Sequence, residues 1–487
     1  MSEVVTLSDE AYLAQLGYKQ QLRRELKLLS SAGLQFTMIA LMGGLALTFG
    51  YGLTTVGPLM ILAWIIGGVL QMAVGVSIAE GTSAYPLAGG AYQIIRKLAK
   101  PALAWQAGWW LLTAHIVAMA GEAIGLAPTM ASWVGIKLTG KYPVIFGALI
   151  LIVLATLINV AGVKVTAFIN NVLGVAAEVT AICIAFAVLI GGAFLAGNHF
   201  HSLGWLGSTH GVAPAGSSLV LPFADAILLP AFVLSGFDAS GTASEETHQA
   251  SRTVPKAMLI ANFAAYLVGT VALILFLLAI KDFTAVSKSV TPLPDILRAW
   301  VGGVPATTFE VLAFVSLFVN MVILQLTAAR VIWAQSREGE TPAPKFLLKL
   351  NKERIPVNAT LLVAVVAMLF CFWSSVLNIL LSTATVLWAA GYGLLVAVIW
   401  YAKRRRTLPE HSFTPPLSNL VAAVGMIWSV VLIAILIRSN VSDIGGGFAV
   451  VVGIGAIIYL VMMRLRRRPL APVVEPAADA KVKGSGK

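Results

Sequence analysis

The chain has 487 residues, of which 59% are hydrophobic and only 11% carry a charge, whereas a soluble domain carries about 25% charged residues. This composition excludes an ordinary soluble protein. Many apolar runs reach about 20 residues, the length of a membrane-spanning helix, and they lack the alternating pattern of a membrane barrel. The net charge of +12 would suit a nucleic-acid partner, but the basic residues follow a membrane topology, so no nucleic-acid partner is predicted.

Residues 1–30 are polar, and we expect them to form a cytoplasmic arm without a cleavable signal peptide. The segment 467–487 lacks apolar periodicity and predicts a disordered cytoplasmic tail. Between them the pattern predicts an all-α polytopic membrane protein with twelve transmembrane helices. These predicted spans, numbered 1 to 12, cover approximately residues 33–55, 58–80, 102–127, 144–163, 167–196, 222–242, 255–280, 307–335, 357–373, 376–402, 417–437 and 445–464.

The basic residues indicate which ends of the spans face the cytoplasm. Most of the 33 Lys and Arg residues fall in segments that share one side if both termini lie together, with the largest groups at 330–354, at 403–406 and in the tail. Cytoplasmic loops carry an excess of Lys and Arg. We therefore expect a multi-pass protein of the cytoplasmic or plasma membrane with both termini in the cytoplasm.

Two predicted spans carry glycine near their middle, where a helix is weakened. Span 1 contains Gly43 and Gly44 followed by Leu45, and span 6 contains Ser-Gly-Phe-Asp at 235–238. Unwound backbone at membrane depth is tolerated where it lines a cavity or binds a ligand. A separation of five spans is typical of an inverted 5+5 repeat with discontinuous helices 1 and 6. For Gly43 and Gly44 the alternative is close helix packing at small residues.

Asp238 lies among apolar residues of span 6. A carboxylate at membrane depth is costly and usually serves substrate, ion or proton handling. We predict that Asp238 binds a cationic amine or takes part in gating. Backbone groups of Ser235, Gly236 and Phe237 and of residues 43–45 are predicted to hold the charged ends of a small substrate, because helix N-termini attract anions and carbonyl ends attract cations.

Three further titratable side chains lie within predicted spans. Glu178 is near the middle of span 5 and is a candidate for proton coupling, because a buried carboxyl group can exchange protons near neutral pH. A structural hydrogen bond to a neighbouring span is the alternative for Glu178. Glu122, in the outer third of span 3, is a second proton-coupling candidate or a residue that reaches the headgroups. His115 is interpreted as a hydrogen-bonded core residue.

Glu245 and Glu246 follow span 6 at the predicted cytoplasmic mouth. Arg330, Arg252 and Lys256 are expected near them. The charges predict an ion-pair network that acts as an inner gate, and ordinary solvated loop charges are the alternative.

Four short stretches resemble the amino acid–polyamine–organocation transporter superfamily, and within it the branch of amino acid, choline and GABA permeases. They follow one another in the order and spacing typical of that family. These stretches are residues 80–92, 235–247, 330–342 and 356–359.

The resemblance implies a LeuT-type fold. Residues of about 33–196 and 222–402 would form the two inverted repeats of a transport core at 31–402, and peripheral spans 11 and 12 would occupy 403–466. The substrate site would lie between spans 1, 3, 6, 8 and 10.

The resemblance also assigns individual residues to that site. A glycine-serine-glycine stretch of the family falls on Gly43, Gly44 and Leu45, where Leu45 departs from the pattern. An aromatic gate falls on Phe232, and an acidic position falls on Asp238.

We therefore expect a secondary transporter that moves an amino acid or small amine by alternating access, with protons as the coupling ion. An exchanger or uniporter is one alternative. A non-transporting nutrient receptor is another, and an enzyme built on Glu122, His115 and Glu178 is a third. No motif for a cofactor or a metal is present in the sequence, so none is expected. The substrate stays open among GABA, choline, polyamines and amino acids.

Overall fold

Helices make up all the regular structure of the described residues, so the all-α prediction is confirmed. One isolated parallel bridge joins Leu26 to Thr247. The predicted disordered tail at 467–487 lies outside the described residues, and so do residues 1–8 of the predicted arm. The computed structural model describes residues 9–19, 22, 24–195, 199–213, 216–374 and 376–465.

The longer helices and the segments that matter for the site are labelled in chain order. They are α1 (Leu28–Ile39), α2 (Leu41–Val56), α3 (Met60–Ala84), α4 (Gly90–Leu98), α5 (Pro101–Trp133), α6 (Lys141–Ala161), α7 (Ala176–Leu195), α8 (Val220–Ala226), α9 (Leu228–Val233), α10 (Ala239–Thr242), α11 (Ala250–Leu278), α12 (Pro292–Val301), α13 (Gly303–Arg337), α14 (Val357–Trp373), α15 (Leu377–Arg404), α16 (Ser418–Ser439) and α17 (Gly446–Leu465).

Within the described part of the chain, nine helical segments are long and apolar enough to cross a membrane. The first of them, Leu28–Ala84, covers predicted spans 1 and 2. Two shorter apolar helices are Val220–Val233, which covers the first part of predicted span 6, and Val357–Trp373, which coincides with predicted span 9. Large apolar side chains such as Phe194 and Val430 are exposed on the outside, as a lipid-facing surface requires.

The centre of the bundle is formed by α5, α13 and α15. Helix α5 packs along both α13 and α15, and α16 covers α15 and α3. In the most apolar window of Pro101–Trp133, 89% of the residues are buried, against 17% for Val441–Arg464. The α5 helix therefore lies inside the protein, while the last helix faces the surroundings along most of its length.

The first predicted span is broken at Ala40, between α1 and α2. Ala40 adopts a left-handed conformation with φ 44°, which is rare for a residue other than glycine. This corrects the predicted position, since Gly43, Gly44 and Leu45 lie inside α2. A Cβ atom on Gly43 would be 2.8 Å from the Cβ of Leu317, so this glycine allows α2 to approach α13 closely.

The second break lies at the predicted place, between α9 and α10. Residues 234–238 are not helical, and Gly236 has φ 80°, a conformation that glycine adopts without steric cost. A Cβ atom there would be 2.8 Å from the Cγ of Met38. The two broken segments therefore touch, with the last turn of α1 packed against Gly236.

Candidate functional site

The backbone groups that the first break frees are bound by side chains of two other helices. Asn320 of α13 donates from its amide nitrogen to the carbonyl of Thr37 at 2.9 Å and also to the carbonyl of Met38. The backbone amide of Met42 donates to Glu178 of α7 at 2.6 Å. The other carboxyl oxygen of Glu178 accepts the hydroxyl of Ser316. These contacts explain why a left-handed alanine is stable here.

A side chain of the first broken segment forms hydrogen bonds with the backbone around the second break. Gln35 of α1 donates to the carbonyl of Gly236 at 2.8 Å and accepts from the backbone amide of Ser240 at 3.2 Å. Ser240 in turn donates from its hydroxyl to the carbonyl of Ser31 at 2.7 Å. A single buried glutamine therefore joins the two interrupted segments.

Asp238 is buried against residues of α5 and α15. Its Oδ1 accepts the hydroxyl of Tyr392 at 2.7 Å and lies 3.3 Å from Nε2 of His115. The His115 contact is an ion-pair distance and not a well-aligned hydrogen bond. Among the described residues, Oδ2 of Asp238 has no hydrogen-bond partner, although the side chain is only 2% exposed.

Aromatic rings enclose this carboxylate. Trp388 of α15 meets the ring of His115 edge-on, with ring centres 5.5 Å apart, and lies 6.2 Å from Phe232. Phe237 meets Tyr392 at 5.6 Å. The indole N–H of Trp388 is buried without a partner among the residues described. The cluster therefore combines π faces, one carboxylate and unused polar atoms.

In the described structure, no hydrogen bond joins the side chain of Ser235 or of Glu122 to the carboxylate of Asp238. The hydroxyl of Ser235 donates to the carbonyl of Ala231 at 2.5 Å and accepts from Gln71. Ser235 and Tyr392 both line a small cavity. Glu122 is buried, and within the described structure its Oε2 has no partner. It lies seven residues from His115 on α5, which is about 10 Å along a helix.

The predicted gate residues are paired. Nη2 of Arg330 lies 2.9 Å from both carboxyl oxygens of Glu246, and Arg337 lies 3.1 Å from Glu245. Arg337, whose position in the sequence also made it a candidate for this network, is thus one partner of Glu245. Burial raises the pKa of Glu246, and the charge of Arg330 opposes that effect.

The N-terminal arm lies across this end of the bundle. The backbone amides of Glu25 and Leu26 both donate to the carbonyl of Glu246 at 2.9 Å. Tyr18 donates to Glu338 at 2.9 Å, and the guanidinium of Arg337 lies 4.5 Å from the Tyr18 ring centre. The arm therefore covers the ion pairs that follow the second break.

Two cavities open beside the ion pair of Arg330 and Glu246. Both are lined by Glu246, Arg330, Leu326 and Ile355. This ion pair therefore borders open space at the end of the bundle that the N-terminal arm covers.

A sequence model of the family described as amino acid permease matches residues 26–462, which is most of the chain. The chain belongs to the amino acid permease family. This finding confirms the resemblance to the amino acid–polyamine–organocation superfamily and makes the chain a multi-pass membrane protein.

Curated relatives of this permease carry matching names. An amino-acid permease BAT1 of Arabidopsis thaliana is 27% identical over 479 residues, covering 88% of each chain. A BAT1 homolog of Oryza sativa subsp. japonica is 28% identical and covers 87% of this chain and 85% of its own. A putative polyamine transporter of Candida albicans is 25% identical, with 73% of this chain and 67% of its own covered.

Sequence reasoning missed two polar side chains of the permease. Gln35 binds the second break and Tyr392 binds Asp238. His115 is buried and hydrogen-bonded as expected, and it also contacts Asp238. The signal for each was a polar residue inside an apolar helix. Their partners are far away in sequence, so the pattern gave no indication of which residue each would meet.

Proposed function

We propose that this permease is a secondary transporter that moves an amino acid or small amine across the membrane by alternating access, coupled to protons. The observation that carries the proposal is the buried carboxylate of Asp238, which lies at the break between α9 and α10 with one oxygen unused. The names of the relatives, amino-acid permease and putative polyamine transporter, agree with such a cargo.

The proposed architecture has twelve spans arranged as a LeuT-type 5+5 inverted repeat. The breaks at Ala40 and at 234–238 support it, because they fall in the first and the sixth predicted span. The distribution of Lys and Arg supports two cytoplasmic termini in a cytoplasmic or plasma membrane.

The proposed site binds both charged ends of the substrate. The ammonium group would lie at Asp238, with Phe232 occluding it. The carboxylate would lie at the N-terminus of α2, where the amide of Met42 is taken by Glu178 and that of Gly44 by the carbonyl of Ala40. Of the backbone amides predicted to bind the substrate at residues 43–45, that of Gly43 is then the available donor. Gly236 and Phe237 would offer backbone groups from the second break.

Glu178 is the proposed proton-coupling group. As a carboxylate it accepts from both Met42 of α2 and Ser316 of α13, and these hydrogen bonds are stronger when the acceptor carries a charge. Protonation would remove that charge and thereby weaken the connection between the broken segment and α13. Glu122 is the second candidate for a proton site, supported by its burial without a partner for Oε2 in the described structure.

Arg330 and Glu246 are proposed as the inner gate, with Glu245 and Arg337 beside them. The pair lies where the second broken segment ends and is covered by the arm. Opening the pathway to the cytoplasm would require these ion pairs to separate.

The test is uptake into proteoliposomes of radiolabelled L-alanine, 4-aminobutyrate and putrescine. The proposal expects at least one of them to accumulate unmodified, and to accumulate more when an inward proton gradient is imposed. Chemical conversion of the label, or binding without entry into the lumen, would contradict transport. Entry that ignores the proton gradient would contradict the coupling alone.

A further inference from the structure

His115 and Asp238 lie side by side at the centre of the bundle, 3.3 Å apart, with exposed fractions of 0% and 2%. We propose that they share one proton in the substrate-free protein, and that a substrate ammonium group displaces this proton when it binds Asp238. The inference rests on the proposed function, because it takes an amine as the ligand of Asp238. It deepens that function by giving His115 a role in substrate binding.

The orientation of the imidazole determines which nitrogen exchanges the proton. Nδ1 of His115 lies 2.6 Å from the backbone carbonyl of Leu111. A carbonyl oxygen only accepts, so Nδ1 must carry a hydrogen. Nε2, which faces Asp238, is therefore the position that gains or loses a proton.

The charge of the pair favours one shared proton. Without it, a lone pair on Nε2 would face a carboxylate oxygen, and the buried site would carry an uncompensated negative charge. With one proton the pair is neutral, whether the proton lies on His115 or on Asp238. Because an unpaired buried charge is strongly unfavourable, the form with one proton is the stable one.

Within the part of the chain that the structure describes, the surroundings of the pair offer no other counter-charge. Facing groups are Tyr392 from α15, which donates to Oδ1, and the ring of Trp388. On α5 itself the nearest titratable residue is Glu122, two turns away. Among the described residues, Asp238 forms an ion pair with His115 and with no other side chain. The shared proton therefore supplies the positive charge that balances the carboxylate of Asp238.

The site has a place for an ammonium group. Oδ2 of Asp238 is buried and, in the described structure, unpartnered, so it can accept from a ligand without breaking the Tyr392 contact. The nearby faces of Trp388 and Phe232 are surfaces that attract cations. His115 contacts Asp238 without a well-aligned hydrogen bond, so its contact is the one that a cation replaces most readily.

The exchange balances as follows. A protonated pair plus R–NH₃⁺ gives R–NH₃⁺ on the Asp238 carboxylate, a neutral His115 and one free proton. The proton leaves Nε2 for water along the path by which the amine entered. Amine binding should therefore tighten as the pH rises, because each bound amine takes the place of one proton at the pair. This proton is separate from the one assigned to Glu178, which is coupled to transport.

Isothermal titration calorimetry in two buffers of different ionisation enthalpy counts the protons released on binding. The probes are 4-aminobutyrate, putrescine and L-alanine, added to purified full-length protein at pH 6. We expect the wild type to release about one proton for each molecule of a probe that binds. Tyr392→Phe, which alters the same carboxylate contact without removing a titrating imidazole, should match the proton count of the wild type.

Binding without proton release in the wild type would overturn the inference, and so would failure of every probe to bind. Infrared difference spectra of the wild type identify the groups that lose the proton. They should show loss of the imidazolium or protonated-carboxyl bands on probe binding, and persistence of these bands would refute the inference. Uptake without proton release would leave transport intact and overturn the inference, whereas proton release without uptake would contradict transport alone.

Discussion

One carboxyl group, that of Glu178, holds the backbone amide of Met42 at 2.6 Å, directly after the break at Ala40. The same group accepts the hydroxyl of Ser316 on α13. The predicted mid-membrane glutamate therefore caps a helix N-terminus, where a negative charge is favourable. A carboxylate caps the broken helix more strongly than the neutral acid, because its negative charge is favourable at a helix N-terminus, and proton binding would therefore be connected to the position of that helix.

Replacing Glu178 by Gln should remove the pH dependence of the maximal uptake rate. A glutamine can still accept from Met42 and can donate to Ser316, so both contacts are kept while the exchangeable proton is lost. Initial uptake rates should be flat from pH 5 to 8 in Glu178→Gln when they are measured in proteoliposomes at saturating substrate, where the pH dependence of binding at Asp238 does not limit the rate.

Ser316→Ala is the matched control for this prediction. It removes one partner of the carboxyl group at a cost of about 1 kcal/mol but keeps a titratable side chain. Its uptake should still vary with pH. A wild-type pH profile in Glu178→Gln would refute the proton-coupling role.

Asp238→Asn should abolish uptake while the protein stays folded. The amide is isosteric and can still accept from Tyr392, but it lacks the charge that binds an ammonium group. Loss of a buried charged contact costs about 2–5 kcal/mol of binding, so affinity should fall roughly 30-fold or more. Asp225→Asn, at a partly exposed ion pair with Arg438, is the control and should transport normally. Uptake by Asp238→Asn at the wild-type rate would contradict the assignment.

Local signals in the sequence were sufficient for the helices and for one break. Apolar runs predicted the helices because lipid requires such runs, and Gly236 marked the second break because glycine adopts positive φ without cost. The first break was predicted from Gly43 and Gly44 and is found at Ala40. These two glycines serve close packing in the structure, against Leu317 and Val233.

The remaining features depend on contacts between distant parts of the chain. Ala40 is left-handed because Asn320 and Glu178 bind the groups around it, and those residues are far away in sequence. The same holds for Asp238 and Tyr392, which are 154 residues apart. A pattern of single residues identifies polar groups at membrane depth but does not identify their partners.

Gly43→Ala should destabilise the protein. The added Cβ would lie 2.8 Å from the Cβ of Leu317 and 3.1 Å from the carbonyl of Ala313, and forcing such a contact costs about 1–3 kcal/mol. Gly191→Ala is the control, since its Cβ would meet nothing within 4 Å and alanine favours a helix by up to about 1 kcal/mol. Thermal unfolding in detergent should show a lower Tm for the first variant only. Equal Tm values would mean that α2 and α13 can separate at no cost.

His411 should contribute stability that depends on pH. Its Nε2 lies 3.6 Å from Glu80, and the hydrogen-bonding interaction with Glu80 raises the pKa of His411. A raised pKa in the folded state means that the contribution is fully present below the unfolded value of about 6.5. It is lost as the pH rises through the folded value.

The Tm difference between wild type and His411→Gln should therefore be largest below about pH 6.5 and shrink at higher pH. His248→Gln, at an exposed histidine, is the control and should show no such trend. A difference that grows with increasing pH would contradict the pairing with Glu80.

Arg330→Met should be strongly destabilising, because it leaves Glu246 buried without its partner. Both side chains are less than 10% exposed, and breaking a buried ion pair from one side costs about 3–5 kcal/mol. The double variant Arg330→Met with Glu246→Leu removes both charges and should recover most of the lost Tm, since an apolar pair can replace a buried ion pair.

If the pair also acts as a gate, the double variant should remain folded yet show altered uptake relative to the wild type. A double variant as unstable as the single one would show that the ion pair does not account for the stability at this position. A stable double variant with unchanged uptake would show that the pair is structural and that the gate lies elsewhere.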